Sequence, residues 1–213
     1  MTTKVPGGML DDAALEDLGG ATLAQGDVLY YDGSNLVNLG AGTSGYFLKT
    51  QGAAANPVWA AHTDNGKILQ VVNVMNGDVA TGTATIPMDD TIPQSTEGNE
   101  YMTLAITPAS VTNKLLIEVV FYFAHSVAGD FTAALFQDTT ADALAAGFKQ
   151  ETADHLECIS FNHYMTTGTT SATTFKVMAG NSVAGTTTFN GESGARLLGG
   201  VLASSITIME IGV

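Results

Sequence analysis

Two histidines and one cysteine are the first residues to consider as a metal or nucleophile site. His155 and His163 flank a predicted strand that holds Cys158 and Phe161. Their even separation places them on one face if that strand is regular. In a trimer, one histidine from each chain would converge on the axis and bind a metal or an anion. No His-Cys or His-His pair has structural zinc spacing, so hydrogen-bonded or solvent-facing histidines and a buried structural Cys158 are the favoured interpretation.

Carboxylates are the second group that could carry chemistry. Glycoside hydrolysis needs two carboxyls at a fixed separation. Asp89 and Asp90 are adjacent, so they would point to opposite faces of a strand or cap backbone groups in a turn. A loose acidic region around a predicted loop is a candidate Ca²⁺ site, because Ca²⁺ takes several carboxylate and carbonyl oxygens, although a solvated acidic loop is the preferred alternative. Its members are Asp138, Asp142, Glu151, Asp154 and Glu157.

Other catalytic and binding signals are weak. Nothing in the sequence supports a catalytic triad, and it has no G-x-S-x-G elbow and no phosphate-cradling loop, so we expect no enzyme activity. Aromatic side chains stack on sugars in many binding sites, yet most of them are expected to lie in the core. The candidates for receptor contact are Tyr101, Phe131, Phe136, Phe148, Tyr164 and Phe175.

The charge balance limits the class of partner. Only 13% of the 213 residues are charged, and 21 acidic against 7 basic residues give a net charge of −14. A phosphate backbone or an anionic bilayer needs clustered Lys and Arg, so neither nucleic acid nor membrane is an expected partner. Because 45% of the residues are apolar, the chain can build a core.

The chain divides into three predicted regions, and the first is residues 1–25. An extended Pro-Gly segment precedes a short stretch of helical spacing, residues 9–18, which Gly19 and Gly20 end. A lone helix of this length is unstable in water, so it needs a surface on which to dock. This region is predicted to attach the protein to a larger particle.

Residues 26–65 form a predicted connector of short strands, 28–31, 36–39, 46–50 and 58–59. Asp32-Gly33 between two apolar runs is a strong hairpin signal. Hairpins of this size are not stable alone, so another surface must cover their apolar side chains, most simply another copy of the chain. The predicted contacts of this neck are Leu29, Tyr31, Leu36, Phe47 and Trp59.

Residues 66–213 have the pattern of a compact all-β domain. Short strands separated by Gly, Thr and Asn predict a sandwich or jelly roll. The stretch 139–148 is Ala-rich and predicts a short helix or an irregular crossing. The run 115–123 is apolar almost throughout, so we expect one face against the sandwich core and the other against a neighbouring subunit. The predicted strands are 67–76, 81–87, 101–107, 114–124, 131–137, 157–165, 172–179, 186–190 and 203–211.

Two ordered motifs resemble a known family. GDVLYYDGSNLVNLGAGTSGYFLKTQG followed by PVWA is similar to the connector of tailed-bacteriophage tail fibre and related virion fibre proteins. The order of QVVN, DDTIPQ, ITP, KL-x-I, ALFQD, TTFK and ITI-x-EI resembles their C-terminal head domain. The resemblance implies a homotrimeric virion appendage with an N-terminal attachment segment, a thin neck and a jelly-roll-like β-sandwich knob.

The resemblance leaves three functional hypotheses. The favoured one is a non-enzymatic fibre on the tail or head of a phage particle, whose knob binds a host-surface glycan or protein. The second is a capsid head fibre or decoration protein, anchored by its N-terminus to other virion proteins. The third is a glycan-degrading appendage enzyme, disfavoured because the long repetitive β-helix pattern is missing. No cofactor is expected, with Ca²⁺ or an axial ion as the alternative.

Overall fold

The computed structural model describes residues 23–62 and 66–213. The predicted helical stretch 9–18 of the attachment region therefore lies outside the described residues. The chain divides into two compact units, with the boundary between residues 63 and 64. In the part of the chain that is described, no helix is long and apolar enough to cross a membrane.

The described residues 23–62 of the first unit form two antiparallel hairpins, as the connector pattern predicts. Strand β1 (Val28–Tyr31) pairs with β2 (Leu36–Leu39), and β3 (Phe47–Lys49) pairs with β4 (Val58–Ala60). The first turn forms because Asp32 Oδ1 accepts the backbone N–H groups of Ser34 at 2.8 Å and Asn35 at 2.7 Å. Gly33 supplies the left-handed backbone, with φ of 102°.

The second unit is built from eight principal strands. These are β5 (Ile68–Asn76), β7 (Asn99–Ile106), β8 (Lys114–His125), β9 (Gly129–Gln137), β10 (Ala145–Glu151), β11 (Glu157–Thr166), β12 (Thr173–Asn181) and β16 (Ser204–Ile211). The short pieces are β6 (Ala80–Gly82), β13 (Thr187–Phe189), β14 (Gly191–Glu192), β15 (Ala195–Arg196) and a 3₁₀ turn at Leu198–Gly200.

The strand order is that of a jelly roll. One sheet has the order β5-β16-β8-β11, and the other has the order β7-β12-β9-β10. In the first sheet, β13 pairs with the end of β8 that extends past β16, and β6 pairs with β13. All pairs are antiparallel. Among the eight principal strands, the two sheets thus hold numbers 1-8-3-6 and 2-7-4-5, which makes two interlocked Greek keys. The all-β, jelly-roll-like prediction is confirmed.

The core lies between the two sheets. Alternate residues of β8, including Ile117 and Phe121, face Leu135 of β9 and Val177 of β12 across the core. Ile208 of β16 lies beside Ile117 in the same sheet and belongs to the same buried cluster. Removal of each such side chain from water contributes about 1.5–3 kcal/mol to folding. Residues 205–211 alternate in sequence, which predicts a strand with Ile206, Ile208 and Glu210 on one face. This is confirmed, because the even-numbered residues of β16 are buried.

Two secondary-structure predictions are wrong. Residues 139–148 contain no helix: the chain turns and β10 begins at Ala145. Gly147 of this stretch allows close packing against β11, because a Cβ at Gly147 would lie 2.5 Å from the Ile159 side chain. The predicted strand 81–87 is only Ala80–Gly82, after which the chain leaves the sheet.

Because successive strands run in opposite directions, the loops fall into two groups at opposite ends of the domain. Residues 66–67, where the chain enters the domain, lie beside Gly212, and Gly66 N–H donates to Gly212 O at 2.7 Å. We call this the proximal end, and it holds loops 107–113, 138–144 and 167–172. The distal end holds the turn 126–128, the loop 152–156, the segment 182–203 and the start of the long connection 77–98.

Candidate functional site

The connector motif folds around its tryptophan. Trp59 Nε1 donates to Gly40 O at 2.6 Å. A Cβ at Gly42 would lie 2.6 Å from the indole, so the Gly-rich break lets the backbone approach the ring. Asp27 ties the unit together, because its carboxylate accepts from Ala24 N–H, Asn38 Nδ2 and Ala41 N–H. These hydrogen bonds, led by that of Ala24, lower the pKa of Asp27.

The predicted neck contacts remain substantially exposed within one chain. Tyr31 is 67% exposed and Phe47 44%, while Leu29, Leu36 and Trp59 are half-buried. The unit therefore presents apolar surface that its own residues do not cover. Which surface covers it stays a prediction.

On one outer face of the jelly roll, the inner strand β9 is covered by the chain itself. The outward side chains of β9, namely Thr132, Ala134 and Phe136, are nearly or fully buried. The long connection between β6 and β7 crosses this face: Ile86 N–H donates to Asn181 O at 3.2 Å, and Pro93 O accepts from Ala143 N–H at 3.0 Å. We call this the covered face.

The opposite outer face is formed by β5, β16, β8 and β11. Among the described residues, no connecting segment crosses it. Strand register aligns Val71, Met209, Leu116 and Tyr164 in one apolar row across all four strands. Val71 is 54% and Tyr164 56% exposed. We call this sheet surface the open face. A second row on it contains Met75, Ser205, Val120 and Ser160.

Charge is scarce on the open face. Between the two rows lies a polar row, in which Asn73 Nδ2 donates to Thr207 Oγ1 at 2.9 Å and Glu118 and Asn162 stand in register beside them. Along the four described strands, Glu118 and Lys114 are the charged outward residues. Depletion of charge at the centre of a patch is typical of protein interfaces.

The prediction for residues 115–123 is half confirmed. Leu115, Ile117, Val119, Phe121 and Phe123 are buried in the sandwich core. The other side of the same strand lies on the open face, half-buried except for the exposed Glu118. A neighbouring subunit there stays a prediction.

The alternative of two histidines on one strand face does not occur, and the prediction of a buried cysteine is wrong. His155 lies in the loop before β11 and is exposed, whereas His163 lies within β11 on its inward side. They do not share a strand face, because β11 starts only at Glu157. Cys158 is exposed rather than buried, since it occupies an outward position of β11. Partial burial of its thiol still raises the Cys158 pKa.

The acidic region is split between the two ends of the domain. Asp138 and Asp142 lie at the proximal end, and Glu151, Asp154 and Glu157 at the distal end, because β10 runs between them. Asp138 instead accepts hydrogen bonds from Thr173 Oγ1 and Thr174 N–H. Within the described ranges, no group of three His, Cys, Asp or Glu side chains is arranged to hold a metal.

Most of the candidate aromatic residues are core residues. Phe131, Phe136 and Phe175 are buried, and Tyr101 packs against Phe121 and Phe189 between the sheets. Phe148 and Tyr164 are about half exposed. The Asp89 carboxylate caps the Thr91 N–H at 2.8 Å, as expected for a turn rather than an acid pair.

A buried carboxyl lies at the distal end. Glu151 is 3% exposed, and its Oε1 accepts the backbone N–H of His125. Its Oε2 makes no hydrogen bond of good geometry among the described residues. Burial raises the pKa of Glu151 to about 7, with the charges of Glu157 and Asp154 adding to the effect. Burial lowers the pKa of His125.

Sequence reasoning missed several of these features. Asp27, Val71 and Met75 were not singled out, although strand β5 is apolar on both faces, the same signal that marks residues 115–123. The burial of Glu151 had no signal, because it depends on loops that are distant in sequence.

No protein-family model and no curated protein matches the sequence. Solved structures of low similarity include Eiger TNF from S. frugiperda, at 9% identity and a TM-score of 0.40 over 67% of this chain and 93% of that chain. The infectious bursal disease virus Gx strain structure matches at 14% identity and a TM-score of 0.38, over 86% and 40%. At these TM-scores the matches carry no argument, and the jelly roll rests on the strand order.

Proposed function

We propose that this chain is a structural virion fibre protein of a tailed phage, a homotrimer whose jelly-roll knob adheres to the host surface. The observation that carries the proposal is the asymmetry of the knob. On one sheet, the outer side of β9 is covered by the chain's own long connection, whereas the other sheet presents an apolar, nearly uncharged face. An exposed apolar patch of this kind marks an interaction surface.

The area of the open face is compatible with self-association. Four strands about 4.8 Å apart and roughly eight residues long at about 3.3 Å per residue give on the order of 500 Å² in projection. Because side chains project from the sheet, the accessible area of the face is larger than its projected area. It is therefore of the same order as the ~800 Å² that each partner buries in a stable interface.

The charge distribution favours a second copy of the same chain as the partner. The net charge of −14 repels copies over most of the surface. The open face carries Glu118 and Lys114 as its charged outward residues, so copies approach there with least repulsion.

Adhesion would work through multivalency. Three knobs held on one neck bring three weak binding sites to the same surface, which raises avidity without a new contact. The resemblance of the connector to virion fibre necks, together with its exposed Tyr31 and Phe47, supports a neck in which three chains cover one another. Catalysis has no part in the proposed mechanism.

A capsid head fibre or decoration protein is the second candidate. The described residues contain one connector unit of two hairpins, which favours this candidate, because a long tail fibre would repeat such units to extend its shaft. In this role the N-terminal region anchors the protein to the shell, and specific recognition by the knob is secondary.

Antibody labelling of intact particles under the electron microscope tests the proposal. Label on the tail or head supports a virion fibre, and its position separates the two candidates. Blocking of particle adsorption by the free protein supports the adhesin. Absence of label from particles that infect normally would overturn the proposal.

A further inference from the structure

Three loops at the distal end enclose a pocket of about 330 Å³. The turn 126–128, the loop 152–156 and the segment 182–203 each contribute to its wall. This volume lies at the lower end of the range for small-molecule sites, which suits a ligand the size of one monosaccharide. The pocket is lined by Ser126, Asp154, Thr186, Thr188, Ser193 and Gly194.

Hydrogen bonds between the loops hold the pocket in shape. Ser126 N–H donates to Thr186 O at 3.0 Å, and Thr186 N–H donates back to Ser126 Oγ at 2.9 Å. Asp154 N–H donates to His125 O at 2.8 Å, which fixes the loop that carries its carboxylate. A preformed site loses less conformational entropy on binding than a mobile one.

The polar groups of the pocket form a pattern of donors and acceptors. Ser126 Oγ and the buried Thr188 Oγ1 each accept a backbone N–H, so their hydroxyl protons can be donated to a ligand. The Asp154 carboxylate is an acceptor only, and its contact with Ser193 Oγ is long at 3.5 Å. A sugar hydroxyl both donates and accepts, so neighbouring hydroxyls of a sugar match this pattern.

We propose that this distal pocket binds a neutral sugar, with Asp154 accepting from its hydroxyl groups and Ser126 and Thr188 donating to them. A negatively charged ligand is disfavoured, because the pocket carries Asp154 and the chain carries a net charge of −14. Among the described residues, none that lines the pocket is aromatic, so we expect a dissociation constant on the order of 1 mM for one site.

The pocket lies at the distal end of the second unit, opposite residues 66–67. Its biological meaning as a host-contact site rests on the proposed function. Three such pockets on one trimer would turn millimolar single-site affinity into useful adhesion.

Saturation-transfer NMR on the full chain tests the inference. The probes are the methyl glycosides of glucose, galactose, mannose and N-acetylglucosamine, with N-acetylneuraminic acid as the anionic comparison, each up to roughly 50 mM. We expect saturable binding of at least one neutral glycoside. Binding of none of them, or stronger binding of the anionic sugar, would overturn the inference.

One substitution assigns the binding to the pocket. Asp154 has φ of 54°, and asparagine tolerates this left-handed backbone, so Asp154→Asn removes the charge without backbone strain. We expect Asp154→Asn to weaken binding at least tenfold. Asp90→Asn, an exposed carboxylate of the long connection outside the pocket, is the matched control and should bind as the native chain does. Equal binding by Asp154→Asn and Asp90→Asn would place the sugar elsewhere and refute the assignment.

The two proposals fail separately. If no sugar binds but free protein still blocks adsorption, the pocket inference is wrong and the adhesive fibre stands. If sugar binds but particles carry no label, the virion proposal is wrong and the binding site stands.

Discussion

Replacement of Glu151 by glutamine is predicted to remove a pH dependence of stability. The carboxyl is buried at the distal end, where its Oε1 accepts the His125 N–H. Glutamine keeps that acceptor and removes the charge. Because the pKa of Glu151 is raised to about 7, its stabilising contribution is complete below the ordinary value of 4.5 and is lost as pH rises through about 7.

The magnitude follows from the pKa difference. The change from 4.5 to about 7 corresponds to on the order of 3 kcal/mol of the free energy of unfolding once the carboxyl is fully charged. For a domain of this size that is a shift in Tm of roughly 6–12 °C. As pH rises from 4.5 to about 8.5, the free energy of unfolding of Glu151→Gln should therefore increase by about this much relative to that of the native chain.

Urea unfolding at a series of pH values, at one fixed protein concentration, measures the effect. The contribution of His125 to stability changes with pH in the opposite direction. Burial lowers the pKa of His125, so its contribution to the free energy of unfolding is lost as pH falls below 6.5. Both proteins contain His125, so the difference between them isolates Glu151.

Glu100→Gln is the matched control, because Glu100 is a surface carboxylate paired only loosely with Lys176 at 3.6 Å. Its stability curve should keep the native pH dependence. Parallel curves for Glu151→Gln and the native chain would refute the reasoning, since they would show that the buried carboxyl does not hold its proton.

Three further substitutions test the other parts of the structure. In the proposed homotrimer, Val71→Asp would place a charge on the open face and should raise the dissociation constant of the trimer at least tenfold, whereas Thr103→Asp on the other sheet should not. Equal sedimentation of both variants would count against the open face. Gly42→Ala should displace the single tryptophan and red-shift its fluorescence. Gly40→Ala should not, because its Cβ would make only an ordinary contact of 3.8 Å with Asp27 Oδ1; two unchanged spectra would contradict the packing. Glu210→Gln should lower the free energy of unfolding in urea by roughly 2–3 kcal/mol at neutral pH, and this difference should become smaller in acid. An unchanged urea midpoint would contradict the prediction.

The sign for Glu210 follows from its surroundings. Burial acts to raise its pKa, but hydrogen bonds from Gln70, Asn113 and the Ala109 N–H outweigh burial and lower it. A carboxyl with a lowered pKa stabilises the fold above 4.5 and loses that contribution as pH falls through its folded value.

The strands were predictable from sequence where the pattern was local. The hairpins around Asp32-Gly33 and the alternation of residues 204–211 need only turn chemistry and the two-residue period, and both are confirmed. The conformation of the Ala-rich stretch 139–148 could not be predicted from sequence, because it depends on the close approach of β10 to β11 at Gly147.

The candidate site was less predictable for the same reason. Cys158 looked like a core residue until strand register placed it outward on β11. The distal pocket brings together residues as distant in sequence as Ser126 and Ser193, so only the fold could assemble it. Burial of Glu151 likewise arises from tertiary contacts.

Sedimentation equilibrium of the full chain at micromolar concentration tests the central claim most directly. The homotrimeric fibre predicts a species of three times the 22.0 kDa of one chain, with dissociation on the Val71→Asp substitution. A stable monomer at that concentration would contradict the account, because the open face and the neck would then have no second copy to cover them.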